Sequence, residues 1–328
     1  MNQLLINKYK PKKITDFNFP KNIENLINTI INTEQYNILI TGNHSAGKTS
    51  LIKLIVSKYY DIPIKDDNNK IDTLNNNILY VTPLKDVGIH NFRSEIKIFC
   101  QSYCTIKTKK KFVIIDDIDL MNEQIQQVMR NIIDVYKNVF FICSCTNSSK
   151  VIDNLQSRLF ILKLPNTNNE RLKMIYDRIN KTENFNIANN EVIDVLIKLS
   201  NNSPAVLINY LDVFVLLDTK ITKTIMLELC TTINFSLYDK FFDLLEQHNI
   251  NESIKCLMGF TDQGYSVMDV YDSMFNYIKY STKINEETKY VIIPIICKYI
   301  TIFHELHEDE IELAFFTNTI YKKICKKI

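Results

Sequence analysis

Residues 41–50 read TGNHSAGKTS. The stretch follows the apolar run Asn37–Ile40 and leads into Leu51-Ile52-Lys53-Leu54-Ile55, so a small-residue turn joins a strand-like segment to a helix-like one. Gly42 to Thr49 satisfies G-x-x-x-x-G-K-S/T, a loop whose backbone N–H groups cradle phosphate oxygens at a helix N-terminus. In such a loop Lys48 reaches the β- and γ-phosphates and the Thr49 hydroxyl coordinates Mg²⁺. Gly42, Asn43, His44, Ser45, Ala46, Gly47, Lys48, Thr49 and Ser50 are therefore candidate nucleotide-binding residues, with ATP and Mg²⁺ as the expected ligands. Two of the chain's five glycines stand in this loop. His44 contributes its backbone and is given no catalytic role.

Outward from the loop, the second half of such a site is KFVIIDDIDLM, Lys111–Met121. Its apolar residues end in Asp116, as in a buried strand that offers a carboxylate to Mg²⁺ at its C-terminal end. Asp117 stands where a related ATPase places the base that polarises the attacking water.

The periodicity around these motifs sets the fold class. Apolar runs recur at Asn37–Thr41, Ile78–Thr82, Phe112–Ile115, Val139–Ser144 and Leu159–Leu164, with helical segments such as Ser50–Tyr59, Asn91–Gln101 and Asn122–Asp134 between them. This alternation predicts an α/β domain, a parallel sheet covered by helices, with its ligand at the strand C-terminal ends. After Pro165 the pattern is helical throughout. The expected domains are 1–164, an α/β nucleotide-binding domain; 165–232, a small helical domain; and 233–328, a longer helical domain.

Composition narrows the setting. The 328 residues are 46% hydrophobic and 23% charged, with 39 basic against 37 acidic residues for a net charge of +2. Contact with nucleic acid would need a local basic face. The opening MNQLLINKYKPKK lacks an apolar leader core, and the apolar stretch near Tyr290–Ile300 is broken by Pro294 and Lys298, so neither a secretory leader nor a membrane span is expected. The eight cysteines include no C-x-x-C pair, which reads as structural thiols in a reducing compartment rather than a zinc site. The cluster Lys107, Lys109, Lys110, Lys111 precedes a strand and is expected to be a solvated loop. Richness in Asn, Ile and Lys suits an AT-rich genome, a large DNA virus or a protist.

The order and wording of the motifs resemble the small subunits of replication factor C, the sliding-clamp loader, within the AAA+ ATPases. NKYKPKKITDF (Asn7–Phe17) is similar to that family's KYRP box, matching at Tyr9 and Pro11. DVGIHNFRSEIKIF (Asp86–Phe99) resembles its ERGID-x-VR segment at Gly88, Ile89, Arg93, Ile96 and Phe99. QIQQVMRNIIDVY (Gln124–Tyr136) matches its D-A-Q helix at Gln126, Arg130 and Tyr136. LQSRLF (Leu155–Phe160) resembles its Q-S-R-C box, and GYSVMDVY (Gly264–Tyr271) a segment of its C-terminal collar.

The resemblance implies an AAA+ domain, a helical lid and an all-helical collar. It implies a subunit of a hetero-pentamer-like ring that places a sliding clamp on primer-template DNA. Tyr9 and Pro11 would pack on the adenine. Arg158 would be an arginine finger projected into a neighbouring subunit's ATP site. Arg93 and Lys97 would hold DNA phosphates in the central channel, with Arg130 on the next helix. The compartment would be the nucleus or a viral replication compartment in the cytoplasm. Arginine occurs only five times against 34 lysines, and three of the five, Arg93, Arg130 and Arg158, fall on positions that the resemblance matches, which implies planar, bidentate recognition of phosphate there.

The sequence also departs from the family. Asp116-Asp117 replaces Asp-Glu, leaving the second carboxylate roughly 1 Å short, and a misplacement of that size can cost ~10²-fold in rate. The sensor residue after the fourth strand falls on Thr146 or on Asn147. The lid's sensor arginine aligns with Ala205 in LSNNSPAVLINYL (Leu199–Leu211), with Pro204 expected in the first helical turn and Ser203 as its N-cap. Two readings follow: a hydrolysing clamp-loader subunit, or a structural subunit that binds ATP for assembly and donates Arg158. A Holliday-junction helicase fits the KYKP and GIHNFR segments less well.

Overall fold

Each apolar run becomes one strand of a parallel sheet in the computed structural model. The structure describes residues 4–61, 76–81, 89–106, 108–185, 187, 189–217, 221–230, 233, 235–281, 283–305 and 307–324. Gly88, Lys107 and residues 325–328 of the lysine-rich terminus lie outside them. The strands are β1 (Ile38–Thr41), β2 (Ile78–Val81), β3 (Lys111–Ile115), β4 (Val139–Cys145) and β5 (Phe160–Lys163), in the order β2-β3-β4-β1-β5. All pairings are parallel.

Alternation along each strand sends its residues to two different cores. Ile38, Ile40, Phe112, Ile114, Phe140 and Ile142 pack with α2 (Lys21–Asn32) and α3 (Lys48–Tyr59). Leu39, Val113, Ile115, Phe141 and Cys143 pack on the opposite face with α4 (Ile89–Gln101), α5 (Glu123–Val135) and the short α6 (Asp153–Gln156). The central strands β1, β3 and β4 are buried along their whole length, so they read as runs rather than as apolar–polar alternation, while the edge strands β2 and β5 are only partly covered. The short α1 (Leu5–Lys8) precedes this domain in the chain.

The later helices are α7 (Asn169–Glu183), α8 (Asn190–Leu199), α9 (Pro204–Val215), α10 (Lys223–Cys230), α11 (Phe235–Glu246), α12 (Ile250–Asp262), α13 (Val267–Tyr280), α14 (Glu286–Glu305) and α15 (Ile311–Ile324). Contacts group the chain into two compact units, Met1–Asn186 with Ser200–Asp218, and Ile187–Leu199 with Thr219–Ile328. The segment 165–232 is thereby divided: α7 and α9 belong to the first unit, α8 and α10 to the second. Ser203 caps α9 by accepting from the Val206 N–H, with Pro204 in the first turn. In the second unit Tyr238, Phe241, Phe260, Tyr271, Met274 and Phe316 form one apolar core. The GYSVMDVY motif opens α13 there. Gly264 takes a positive φ of 92°, and Ser266 and Asp269 close a capping box.

The lysine cluster corrects one sequence expectation. Lys111 is buried and donates to Phe99 O and Ser102 Oγ at the end of α4, with its ammonium 4.3 Å from the Phe99 ring centroid. Lys109 bonds the Tyr59 carbonyl and Asp61, and Lys110 donates to Lys137 O beside Phe140. The Lys109 and Lys110 ammoniums lie over the Tyr59 and Phe140 rings, Lys109 half-buried and Lys110 exposed, so among the described members of the cluster it is Lys111 that departs from a solvated loop. Among the described residues no helix is long and apolar enough to cross a membrane.

Candidate functional site

The loop after β1 is shaped by its glycines. Gly47 has φ +94°, and a Cβ there would stand 3.0 Å from the Phe17 ring. At Gly42 a Cβ would meet Leu164 at 3.2 Å. Backbone must therefore approach closely here, and the N-terminus of α3 opens directly behind it. Lys48 is buried, and its ammonium donates to Gly42 O at 2.8 Å and Asn43 O at 3.2 Å.

Asp116 follows β3, the second strand over from β1, with β4 between them. The Thr49 hydroxyl donates to Asp116 Oδ2 at 2.9 Å, joining segments 67 residues apart in the chain. Ser144 of β4, fully buried, then arranges both carboxylates. Its hydroxyl donates to Asp116 Oδ1, and it accepts from the Asp117 N–H at 3.0 Å. Asp117 adopts a left-handed backbone, φ 54° and ψ 53°, a conformation that Asp tolerates better than most residues. Burial pushes its carboxyl up from the ordinary aspartate range, and the neighbouring Asp116 charge adds to this; Lys48 and His44 oppose it. A carboxylate held so is a stronger base than a free one.

A hydroxyl and a carboxylate in contact beside a phosphate loop form a hard-oxygen set that suits Mg²⁺. No group of three acidic, His or Cys side chains that could hold a metal occurs among the described residues. The remaining ligands would therefore be phosphate oxygens and water, as is usual for Mg²⁺. Thr49 and Asp116 would hold it.

A cleft of about 340 Å³ continues from the loop and is lined by Tyr9, Pro11, Phe17, Asp117, Ile175 and Ala205, among others. Its volume suits a small-molecule ligand. The Tyr9 hydroxyl bonds Thr182 and Glu183 of α7, fixing the ring in the wall. Ala205 puts a methyl group where the resemblance expects the lid arginine. Two arginines that sequence reading passed over line the same cleft. Arg171 is buried, donates to Phe17 O at 2.9 Å and lies 4.6 Å from the Phe19 ring centroid. Arg178 donates to Asp16 O at 3.1 Å and Tyr9 O at 3.2 Å, and its buried Nε has no partner among the described residues. Both tie the N-terminal segment to α7. Their one sequence signal was the scarcity of arginine itself.

A second, polar cavity of about 420 Å³ is lined by Asn43, His44, Thr146, Asn147, Thr167 and Asn202 with three others. It bears on the open choice of sensor. Thr146 donates both its N–H and its hydroxyl to Asp119 Oδ2, at 3.2 and 2.8 Å. The Asn147 N–H donates there too, at 3.0 Å, but its side-chain oxygen accepts from Ser149 N and its Nδ2 makes no hydrogen bond among the described residues. Burial alone would raise the Asp119 carboxyl; the hydrogen bonds from Asn147 and Thr146 outweigh it and hold it below the usual range. Asp119 thus pins the end of β4, which leaves Asn147 the available donor. Nearby, buried Gln126 donates to Met121 O and Lys150 O and accepts from Ile152 N, tying together the loops after β3 and β4.

The remaining candidates stand apart from the cleft. Arg93 and Lys97, one turn apart on α4, are both exposed. Arg130 of α5 donates to Asn131 Oδ1 and lies 3.6 Å from Asp134. Arg158, which follows α6, also binds Asp134, at 2.8 Å. The site therefore brings together the loop, Thr49, Asp116, Asp117, Tyr9 and Pro11, with Thr146 beside them, and leaves the four arginine and lysine candidates on other surfaces.

A family profile for the AAA domain matches residues 34–165. The chain is 24% identical over 276 residues to a replication factor C small subunit of Acanthamoeba polyphaga mimivirus, covering 84% of this chain and 83% of the relative. It is 22% identical over 278 residues to replication factor C subunit 4 of Encephalitozoon cuniculi, covering 84% and 85%. Among solved structures it is similar to the RuvB Holliday junction branch migration motor of Thermotoga maritima, with a TM-score of 0.53 and 16% identity over 76% of this chain and 85% of that one. At that identity the likeness speaks for the fold alone.

Proposed function

We propose that this chain, similar over 84% of its length to a replication factor C small subunit, is an ATP-binding subunit of a clamp-loader ring that hydrolyses ATP at subunit interfaces. The observation that carries this reading is the Thr49–Asp116 contact of 2.9 Å, which supports a magnesium-binding pair at the loop, with Asp117 alongside. ATP would lie with its base against Tyr9 and Pro11 and its phosphates on the loop N–H groups. Mg²⁺ would offset phosphate charge between Thr49 and Asp116. Asp117 would accept a proton from the attacking water, and Asn147 would donate through Nδ2 to the γ-phosphate or that water.

Arg158 would complete a neighbour's site in trans. Arg93, Lys97 and Arg130 would hold phosphates of primer-template DNA without reading its sequence, as loading on any primed duplex requires. The partners are then other ring subunits, a sliding clamp and DNA, in a nucleus or a viral replication compartment. The second reading, a structural subunit that binds ATP without hydrolysing it, is favoured by the short Asp117 side chain and by Ala205 in place of the lid arginine.

Titrating the isolated chain with Mg-ATP tests the premise. Lys48→Ala is expected to weaken binding by about 10- to 100-fold, the worth of a charge-assisted hydrogen bond. A wild-type chain that fails to bind Mg-ATP would sink both readings. Within an assembled ring, Asn147→Ala should lower turnover at this site by more than tenfold, as loss of one such donor does. Thr146→Val should act through stability, because Asp119 loses a partner. The reverse pattern would make Thr146 the sensor.

A further inference from the structure

Arg158 is held along one side and left open on the other. Its Nε donates to both oxygens of Asp134, at 2.8 and 2.9 Å. Its Nη1 donates to Asn154 O at 2.7 Å and to Ser157 Oγ at 3.2 Å. Its Nη2 makes no hydrogen bond among the described residues. Nε and Nη1 are therefore both anchored, and Nη2 remains available. The side chain keeps 27% of its exposure while so anchored.

Asp134 is also in an unfavourable place on its own account. It sits in the last turn of α5, where the helix dipole disfavours a negative charge. Two of the chain's five arginines offset this: Arg158, and Arg130 one turn earlier with Nε at 3.6 Å. The Arg158 contact holds the Asp134 carboxyl below the usual aspartate range.

We propose that Asp134 is the positioning residue of the finger: its carboxylate fixes the Arg158 guanidinium so that the Nη2 end is presented to a phosphate held by the neighbouring subunit. An arginine side chain loses rotamer entropy when it is fixed, and a carboxylate that orders it before assembly removes that cost from the transition state. A latch that had to be broken would occupy Nη2 as well. The two ideas predict opposite signs when Asp134 is neutralised. The inference rests on the reading of Arg158 as a finger acting in trans.

The test uses rings purified through a tag on this chain, with turnover and KM measured at the neighbouring site for wild type, Arg158→Ala, Asp134→Asn and Asp134→Glu. Asp134→Asn should lower kcat by about 10²-fold, the cost of a ~1 Å misplacement, with KM for ATP little changed and Asp134→Glu recovering part of the loss. In the isolated chain, arginine Nε–H spectra supply a readout that needs no assembly. The Arg158 resonance, identified by Arg158→Lys, should be shifted and protected from exchange in wild type and lose both properties in Asp134→Asn at an unchanged melting temperature. An unchanged or raised kcat in Asp134→Asn, in rings where Arg158→Ala is impaired, would overturn the proposal. So would an Arg158 resonance indifferent to Asp134. If Arg158→Ala itself leaves the neighbouring site at full rate, the finger reading falls first, and the positioning role with it.

Discussion

Replacing Arg158 by alanine is expected to lower ATP turnover at the neighbouring subunit's site by ~10³-fold or more, the range established for arginine fingers. The loss should fall on kcat, because the guanidinium meets charge that develops on the transferring phosphoryl group. Nucleotide affinity of this chain's own cleft should stay at the wild-type value, since Arg158 lies outside its lining. Rings in which all other sites are silenced isolate the effect. Lysine is not an adequate substitute: it keeps the charge but lacks the second edge that lets Arg158 hold Asp134 and still offer Nη2. A neighbouring site that turns over normally in Arg158→Ala rings would remove the trans role.

The second large effect concerns this chain's own chemistry. Asp117→Asn should lower turnover at its own site by ~10²- to 10⁴-fold, as expected for removal of a general base. Asparagine preserves the shape and tolerates the left-handed backbone at φ 54°, so the comparison isolates the charge. The pH dependence has a definite sign. Burial and Asp116 raise the Asp117 pKa, so its basic form is lost as pH falls while ordinary aspartates are still ionised. The acid limb of the rate profile should therefore lie above the usual aspartate range and vanish in Asp117→Asn. Stability runs the other way. A raised folded-state pKa means that ionised Asp117 disfavours the fold above its unfolded pKa, and this cost is relieved as pH falls. Asp117→Asn should accordingly not destabilise the chain at neutral pH, which thermal melting would check. Wild-type turnover in Asp117→Asn would leave the structural-subunit reading standing.

Much of the α/β domain was legible because its signals are local. A strand buried on both faces is apolar nearly throughout, and Phe112–Ile115 and Val139–Cys143 say so without reference to their partners. The same holds for Ser203 and Pro204, whose capping needs only the next turn of chain. Other features needed long-range pairing. Arg171 bonds a carbonyl 154 residues away and Arg178 one 169 residues away, so nothing near them in the chain marks their place in the cleft. Lys111 reads as surface charge, yet it follows a turn that brings it beneath the last carbonyls of α4.

The sequence by itself determined that a phosphate loop lies between a strand and a helix, and that a paired carboxylate closes a later strand. Those motifs work through backbone conformation and residue type, which neighbours in the chain can dictate. Only the tertiary structure decided what each carboxylate touches. Parallel packing of β3 against β4 sets Ser144 between Asp116 and Asp117 and sends Asp119 to the end of β4. With that, Thr146 spends its hydroxyl on Asp119 and Asn147 keeps its amide. Arg158 likewise acquires its orientation from Asp134, 24 residues earlier on α5. A hydrogen bond has direction, and the direction of a side chain is set by whatever the fold places beside it.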